Sequence, residues 1–343
     1  MSGYLAFCDK YRDEAACIKA LGDLKWPDGF SCARCRGRRA YHLASRPRLF
    51  ECAACGHQHS VTAGTVFHKT RTALRKWFAA GYLIARDKRG VSALFISREL
   101  AIRYDTAWLM CHKIRHALTE SSTDFLLGGC VEVDAAFYGG GRRDGDRRRA
   151  RTDGTAQTEA RGRTEEEGRT EEGRAQRAGR AMIVCAVEKR STAGTGKQGI
   201  DRQGFIAGSA RIAVLAHATA RQIARFIRAN IEAGSTILGD GGNGGRGPAE
   251  GRHAPIVPGT GVSAGVNLPI VHRLFSNVRT WLNGTYHGVS AKHLPRYLRE
   301  WSYRFNRRGR IGQLDGFLLR RTVSRDTITY AELVGGKMIE GAG

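Results

Sequence analysis

Two sets of side chains in this 343-residue chain are of types that hold metal. The first is cysteine. Cys32-Ala-Arg-Cys35 is followed, after sixteen residues, by Cys52-Ala-Ala-Cys55. Each C-x-x-C knuckle offers two thiolates on a tight turn, and two knuckles at this separation form the pattern of a zinc ribbon with a tetrahedral structural site. Four thiolates leave no open position for a substrate, so this site carries no catalysis. His57 and His59 lie close by and are of a type that can replace a cysteine ligand. The other cysteines, Cys8, Cys17, Cys111, Cys130 and Cys185, stand in apolar stretches and read as small buried residues. Nine is an odd number, and four of the nine are in C-x-x-C pairs. That points to a reducing compartment and metal binding rather than disulfides.

The second set carries oxygen. Asp134 lies in Val131–Tyr138, which reads as a buried strand ending at glycines. Glu132 has the same alternation parity and competes with Asp134 for any acidic role. Asp240 ends a second strand, Ser235–Asp240. Hard oxygen donors of this kind suit Mg²⁺ or Mn²⁺. Two such ions about 3.5–4 Å apart can activate a hydroxyl nucleophile and stabilise the leaving oxygen during in-line attack on a phosphodiester.

The elements that must position these groups follow from periodicity. Ile270, Val271, Leu274, Phe275, Val278, Trp281 and Leu282 share one face of a helix. Asn277 lies on one margin of that stripe beside Arg273, and Arg279 lies on the other near His272. A turn is expected at Asn283-Gly284-Thr285. A second helix then carries Leu294, Tyr297, Leu298, Trp301 and Phe305, and ends in Asn306-Arg307-Arg308. Apolar Met182–Glu188 reads as a central strand, Gly204–Leu215 as a third strand interrupted near Gly208, and Thr219–Ala233 as a crossover helix. The stretch between strands, 139–180, is poor in apolar residues, mixes charges of both signs and reads as a flexible insertion.

Upstream, residues 8–22 look helical with Tyr11, Ala15, Ile18 and Leu21 inward. Ribbon strands are expected at Tyr41–Leu43 and Leu49–Glu51. Thr70–Ala85 looks helical, a short helix runs from Gly90 to about Leu100, and another runs from Thr106 to Leu118. Short helix, turn, second helix is the layout of a helix-turn-helix, in which the second helix enters the major groove. Trp108, His112, Lys113 and Arg115 would then face outward to DNA. An ordinary three-helix packing unit is the alternative.

The net charge of +24 points to a polyanionic partner, nucleic acid first. No apolar run reaches the roughly 18 residues needed for a membrane span, and no secretory signal is read. Gly241–Gly247 lacks the Lys-Ser/Thr of a nucleotide-binding loop.

The run Ser276-Asn277-Val278-Arg279, then Gly284-Thr285-Tyr286-His287-Gly288-Val289-Ser290, then Tyr303-Arg304-Phe305-Asn306-Arg307-Arg308 resembles the bacterial insertion-sequence transposases of the ISXO-like group. In that family Asp-Asp-Asn with a following basic residue replaces the usual acidic triad. The resemblance implies an α/β ribonuclease-H-like catalytic domain preceded by a zinc ribbon and a helix-turn-helix. It implies that Asp134 bridges two Mg²⁺ or Mn²⁺ ions, that Asp240 holds one, and that Asn277 ligates the other. Arg279, on the far margin of its helix from Asn277, would grip a DNA phosphate; His272, Tyr286, His287, Arg304 and Arg307 are second-rank candidates for DNA contact, with capping or packing as the alternative. The partners implied are terminal inverted repeats, target DNA and further copies of the chain on paired ends, in the cytoplasm on the bacterial nucleoid. Arg279 stands where the family usually has Lys, Ala135 where it commonly has an acid, and a glycine run where it has an aromatic after the second Asp. These departures bear on whether this copy is active.

The expected division is 1–67 for the N-terminal helix and ribbon, 68–125 for the helix-turn-helix, 126–320 for the catalytic domain and 321–343 for a tail. A non-catalytic DNA-binding protein and a host nuclease of the same fold are the competing functions.

Overall fold

The computed structural model describes residues 3–120, 124–139, 181–193, 204–216, 219–239, 257–258 and 268–335. Asp240, the glycine run after it and the insertion from residue 140 to 180 lie outside the described residues. The chain forms two compact units, Met1–Glu120 with Arg299–Glu340, and Ser121–Leu298. Packing therefore returns the chain to the first unit at Arg299, well before the expected tail.

In the first unit, α1 (Tyr4–Lys10) and α2 (Glu14–Lys25) replace the single expected helix. The break comes because Asp13 is an N-cap, its side chain accepting from the Ala16 N–H at 2.7 Å. Ala15, expected inward, is exposed. The ribbon is a three-stranded antiparallel sheet of β1 (Ala40–His42), β2 (Leu49–Cys52) and β3 (Gln58–Ser60); the third strand was not expected. Next come α3 (Leu74–Arg86), α4 (Ala93–Glu99) and α5 (Tyr104–Ala117). The C-terminal α9 (Leu314–Ser324) adds Leu318 and Leu319 to the core that α2, α3 and α5 build around Leu21, Phe78, Ile84 and Met110.

The second unit is a five-stranded mixed sheet of β4 (Cys130–Tyr138), β5 (Ala181–Ser191), β6 (Phe205–Leu215), β7 (Thr236–Gly239) and β8 (Val257–Pro258). Its order is β6-β5-β4-β7-β8. The pairs β6-β5 and β5-β4 are antiparallel; β4-β7 and β7-β8 are parallel. The crossover helix α6 (Ala220–Asn230) packs Ile223, Phe226 and Ile227 on Val131, Val133, Val184 and Ala186, one face of the sheet. The long helix α7 (Pro269–Tyr286) lies over β4 and β5. Covered on both faces, β5 is apolar along most of its length, as its sequence required. The interruption expected near Gly208 is a register shift opposite, between Val187 and Lys189. A Cβ on Gly208 would stand 2.5 Å from Glu188 Oε2, so only glycine fits.

The turn expected at Asn283-Gly284-Thr285 is helix. Tyr286 packs edge-on between Trp281 and Tyr297, and α7 ends one residue later at His287, in the left-handed region with φ 53°. Gly288, with φ 105°, completes the reversal into α8 (Leu294–Asn306).

Candidate functional site

The zinc-type site is built by two similar knuckles. The Cys32 N–H donates to Gly37 O and the Cys52 N–H to His57 O, both at 3.0 Å. The residue after each second cysteine is left-handed, Arg36 at φ 60° and Gly56 at φ 66°. The four sulfurs lie within 4.8 Å of one another, with Cys32–Cys55 at 3.6 Å and Cys35–Cys52 at 3.5 Å. Four ligands about 2.3 Å from one tetrahedral zinc stand about 3.8 Å apart, so the cluster fits that ion. Burial opposes ionisation of the Cys32 thiol, but hydrogen bonds from the Cys35 backbone, the His59 ring and the Arg34 backbone bring it down to about 5. His59 does not replace a cysteine. Its Nε2 lies 3.2 Å from Cys32 Sγ, the place of a group that orients and tunes a ligand.

In the second unit, β4 and α7 run side by side. Glu132 Oε2 accepts from the Ile270 and Val271 N–H groups at 3.0 and 2.9 Å. His272 Nε2 stands 3.3 Å from Asp134 Oδ2. Arg279 donates to Phe137 O at 3.1 Å, and Tyr138 donates to Asn283 Oδ1 at 3.4 Å. The lengths agree: thirteen helical residues rise about 20 Å, and six strand residues about the same. One margin of α7, that of His272, Arg279 and Asn283, is thus threaded along β4.

The two acids have different surroundings. Glu132 is completely buried, and it caps a helix whose own N-cap, Leu268, has no side chain able to do so. Asp134 retains 12% side-chain exposure. Its Oδ1 accepts from the Ala135 N–H at 2.7 Å, while Oδ2 is the oxygen nearest His272. Cys185 pairs with Asp134 across the sheet, and its thiol is pushed far up by burial first, then by the Asp134 and Glu132 carboxylates. Asn277 is exposed and lies about 140° around α7 from His272, at roughly 100° per residue.

Several expected DNA contacts are corrected. His112, Lys113 and Arg115 are buried, not outward. Arg115 Nε donates to the fully buried Glu300 at 2.7 Å, and Lys113 Nζ donates to Val66 O at 3.4 Å. Trp108 is half-buried with its ring 4.1 Å from that of His112. Arg304 is held by Glu300 at 3.0 Å and by the carbonyls of Ile84 and Asp87. Arg307 pairs with Glu120 and covers the Tyr303 ring at 3.9 Å. Arg115, Arg304 and Arg307 are drawn inward because a buried carboxylate needs a cation. Tyr286 is half-buried between two rings; His287 and Arg279 remain exposed. The cap by Glu132 escaped sequence reasoning, although its strand parity, shared with Asp134, was the available signal.

No helix among the described residues is long and apolar enough to cross a membrane. Residues 12–58 match the family model of the transposase zinc-ribbon domain, and residues 126–306 match that of the ISXO2-like transposase domain. The chain is similar to a protein from Halobacterium salinarum described as an uncharacterized protein in transposable element ISH50, at 28% identity over 137 residues. That alignment covers 39% of this chain and 45% of the relative, so the chain spans less than half of that protein's length. No solved structure matches. With a ribbon built to hold zinc and more than half of its length in the matched catalytic-type domain, this chain belongs to the ISXO2-like insertion-sequence transposases.

Proposed function

We propose that this protein cleaves DNA at the ends of its own insertion element and joins those ends to target DNA, using divalent cations held between β4, β7 and α7. The observation that carries the reading is Asp134, a half-buried carboxylate on the same strand face as Glu132 and in reach of α7. On β7, Leu238 pairs with Glu132. Asp240 follows Leu238 by two residues, as Asp134 follows Glu132. Three antiparallel strands joined through a crossover helix to a parallel one support a ribonuclease-H-like reading of the sheet.

Asp134 and Asp240 supply carboxylate oxygens for Mg²⁺ or Mn²⁺, and the family pattern adds the Asn277 amide oxygen from α7. When bound, such ions activate the attacking hydroxyl and stabilise the leaving oxygen. Glu132 fixes α7 against β4, and so sets the height of every α7 side chain above the site. Arg279, exposed and steadied by Phe137 O, is placed to fork onto a DNA phosphate. His287 is a second exposed candidate for DNA contact.

DNA recognition falls to the first unit. The order α4, turn, α5 supports a helix-turn-helix reading, but the accessible part of α5 is its first turn. Arg103, Tyr104 and Asp105 are exposed there, in the region from which a recognition helix contacts base edges. Assembly of several copies on paired ends, on chromosomal DNA in the cytoplasm, completes the proposal.

The test is strand cleavage of DNA carrying the element's ends, with Mg²⁺ or Mn²⁺. Asp134→Ala and Asp240→Ala should each lower the rate by about a thousandfold, the equivalent of several kcal/mol of lost charge stabilisation. Cleavage that survives both changes overturns the proposal. Tight end binding with no metal-dependent cleavage favours a purely DNA-binding protein.

A further inference from the structure

We infer that the first zinc knuckle is a clamp for the phosphate backbone of duplex DNA, with Arg34, Arg36, Arg38 and Arg39 as its cations. This rests on the DNA-acting reading above and adds to it a contact surface separate from α4, α5 and α7.

The charge of this segment is one-sided. From Phe30 to Phe50 the chain holds six arginines and no acid. Arg48 is taken up internally, by Glu14 and by the carbonyls of Thr70 and Thr72. Arg34, Arg36, Arg38 and Arg39 are exposed, and among the described residues no acid or carbonyl holds their guanidinium groups. Compensation of the metal site does not account for them. Zinc with four thiolates carries two negative charges in excess, and four guanidinium groups more than offset those.

The second knuckle shows what zinc ligation needs by itself. It repeats the backbone of the first: the Arg36 N–H donates to Cys32 O and the Gly56 N–H to Cys52 O, both at 2.9 Å. Yet Cys52 to His59 contains no lysine, arginine or acid. Its left-handed position is a glycine, the residue that adopts this conformation without cost. In the first knuckle the same position is Arg36, at φ 60°. A strained side-chained residue where glycine serves elsewhere points to a demand on the side chain, not on the fold.

Tyr41 adjoins the set and is 66% exposed. It lies on the open face of the ribbon sheet; His42 and Phe50 take the other face, where Phe50 meets Trp26. A tyrosine hydroxyl is one of the donors used on phosphate oxygens. Glu51 and Gln58, joined at 2.9 Å, bound this surface on the side of β2 and β3. Guanidinium groups fork onto phosphate, and contacts to the backbone carry no sequence information. The clamp therefore adds affinity for any duplex, and its signature is counterion release.

The test uses full-length, zinc-loaded protein and a fluorescent duplex of random sequence, with binding followed by anisotropy over a salt series. Arg36→Gly removes one charge and relieves the left-handed residue. Its zinc retention and unfolding midpoint should hold or rise, which excludes misfolding as the cause of any loss. Its affinity at about 0.15 M salt should fall about fivefold, and the slope of log affinity against log salt should drop by about 0.9. Arg36→Lys should keep most of the binding. Changing Arg34, Arg38 and Arg39 to Gln as well should take the loss to about two or three powers of ten. Arg12→Gln, an equal change of net charge on a residue paired with Asp13, should leave affinity within about twofold. Unchanged affinity and slope in the fourfold variant overturn the inference and leave the cleavage reading standing. So does loss of zinc with no loss of DNA by the loaded variants, which would make the arginines partners of the metal site. Loss of self-association in sedimentation with DNA binding intact also overturns it, assigning the surface to a second copy. A parent that grips duplex through this knuckle yet never cuts it with Mg²⁺ or Mn²⁺ refutes the cleavage reading alone.

Discussion

Glu300 in the first unit and Asp134 in the second are both shielded acids on the inner side of an element, and their surroundings differ in kind. Glu300 is fully buried between two guanidinium groups, Arg115 at 2.7 Å and Arg304 at 3.0 Å, and Arg115 is itself 1% exposed. The protein has supplied that carboxylate's countercharge from its own chain. Asp134 faces a histidine and a backbone N–H, shares its strand face with the fully buried Glu132, and keeps an opening to solvent. Two arginines close in on Glu300, whereas a histidine stands beside Asp134. The basic residues divide the same way. Arg115, Arg304 and Arg307 answer internal acids, whereas Arg279 donates to the Phe137 carbonyl and keeps its charge exposed.

The comparison is broken most sharply by removing each acid in turn. Glu300→Ala should destabilise the protein by about 3–5 kcal/mol, because Arg115 is left buried without its countercharge; denaturant unfolding measures this. Asp134→Ala should leave the unfolding midpoint unchanged or raised while metal binding is lost. A large drop in stability from Asp134→Ala would make it a structural acid like Glu300. Next in size is Glu132→Gln, which keeps the shape of the cap but removes its charge. Hydrogen bonds to charged groups contribute about 1.5–3 kcal/mol, so a loss within that range is expected by the same measurement, together with weaker Mn²⁺ uptake as α7 loosens. The smallest effect belongs to the ribbon. His59→Ala should lower zinc affinity by about 10–100-fold in a chelator competition, without unfolding the sheet, since all four cysteines remain.

The two units also share a device that no local reading could reveal. Ala73 and Leu268, at the N-caps of α3 and α7, have no capping side chain. Glu14 accepts from the Leu74 and Arg75 N–H groups, and Glu132 from those of Ile270 and Val271. In each case the cap is supplied by a glutamate far away in the chain. The register between β4 and α7, and with it the position of His272, hangs on one of these.

Much was legible beforehand. The ribbon could be read because zinc ligation needs fixed spacing within a short segment. Strand β4, the apolar β5, the crossover helix and the apolar face of α7 could be read because burial imposes a period of two or 3.6. The start of α2 was misread because Asp13 sits inside an apolar period that continues across it. The end of α7 was misread because Asn283-Gly284 has turn chemistry, and packing of Tyr286 between two rings overrode it. Arg115, Arg304 and Arg307 turn inward for a deeper reason. A positive charge suits phosphate and an internal carboxylate equally well, and residue type does not say which is near.

By itself, then, the amino-acid sequence determined the zinc ribbon, the family and the elements that carry Asp134 and Asn277, since each of these is written in local spacing and period. Only the tertiary structure decided which margin of α7 meets β4, that Glu132 caps while Asp134 stays accessible, and which arginines turn inward. Those outcomes depend on pairings between residues tens to hundreds of positions apart, and Coulomb and hydrogen-bond energies are set by distance in space, not along the chain.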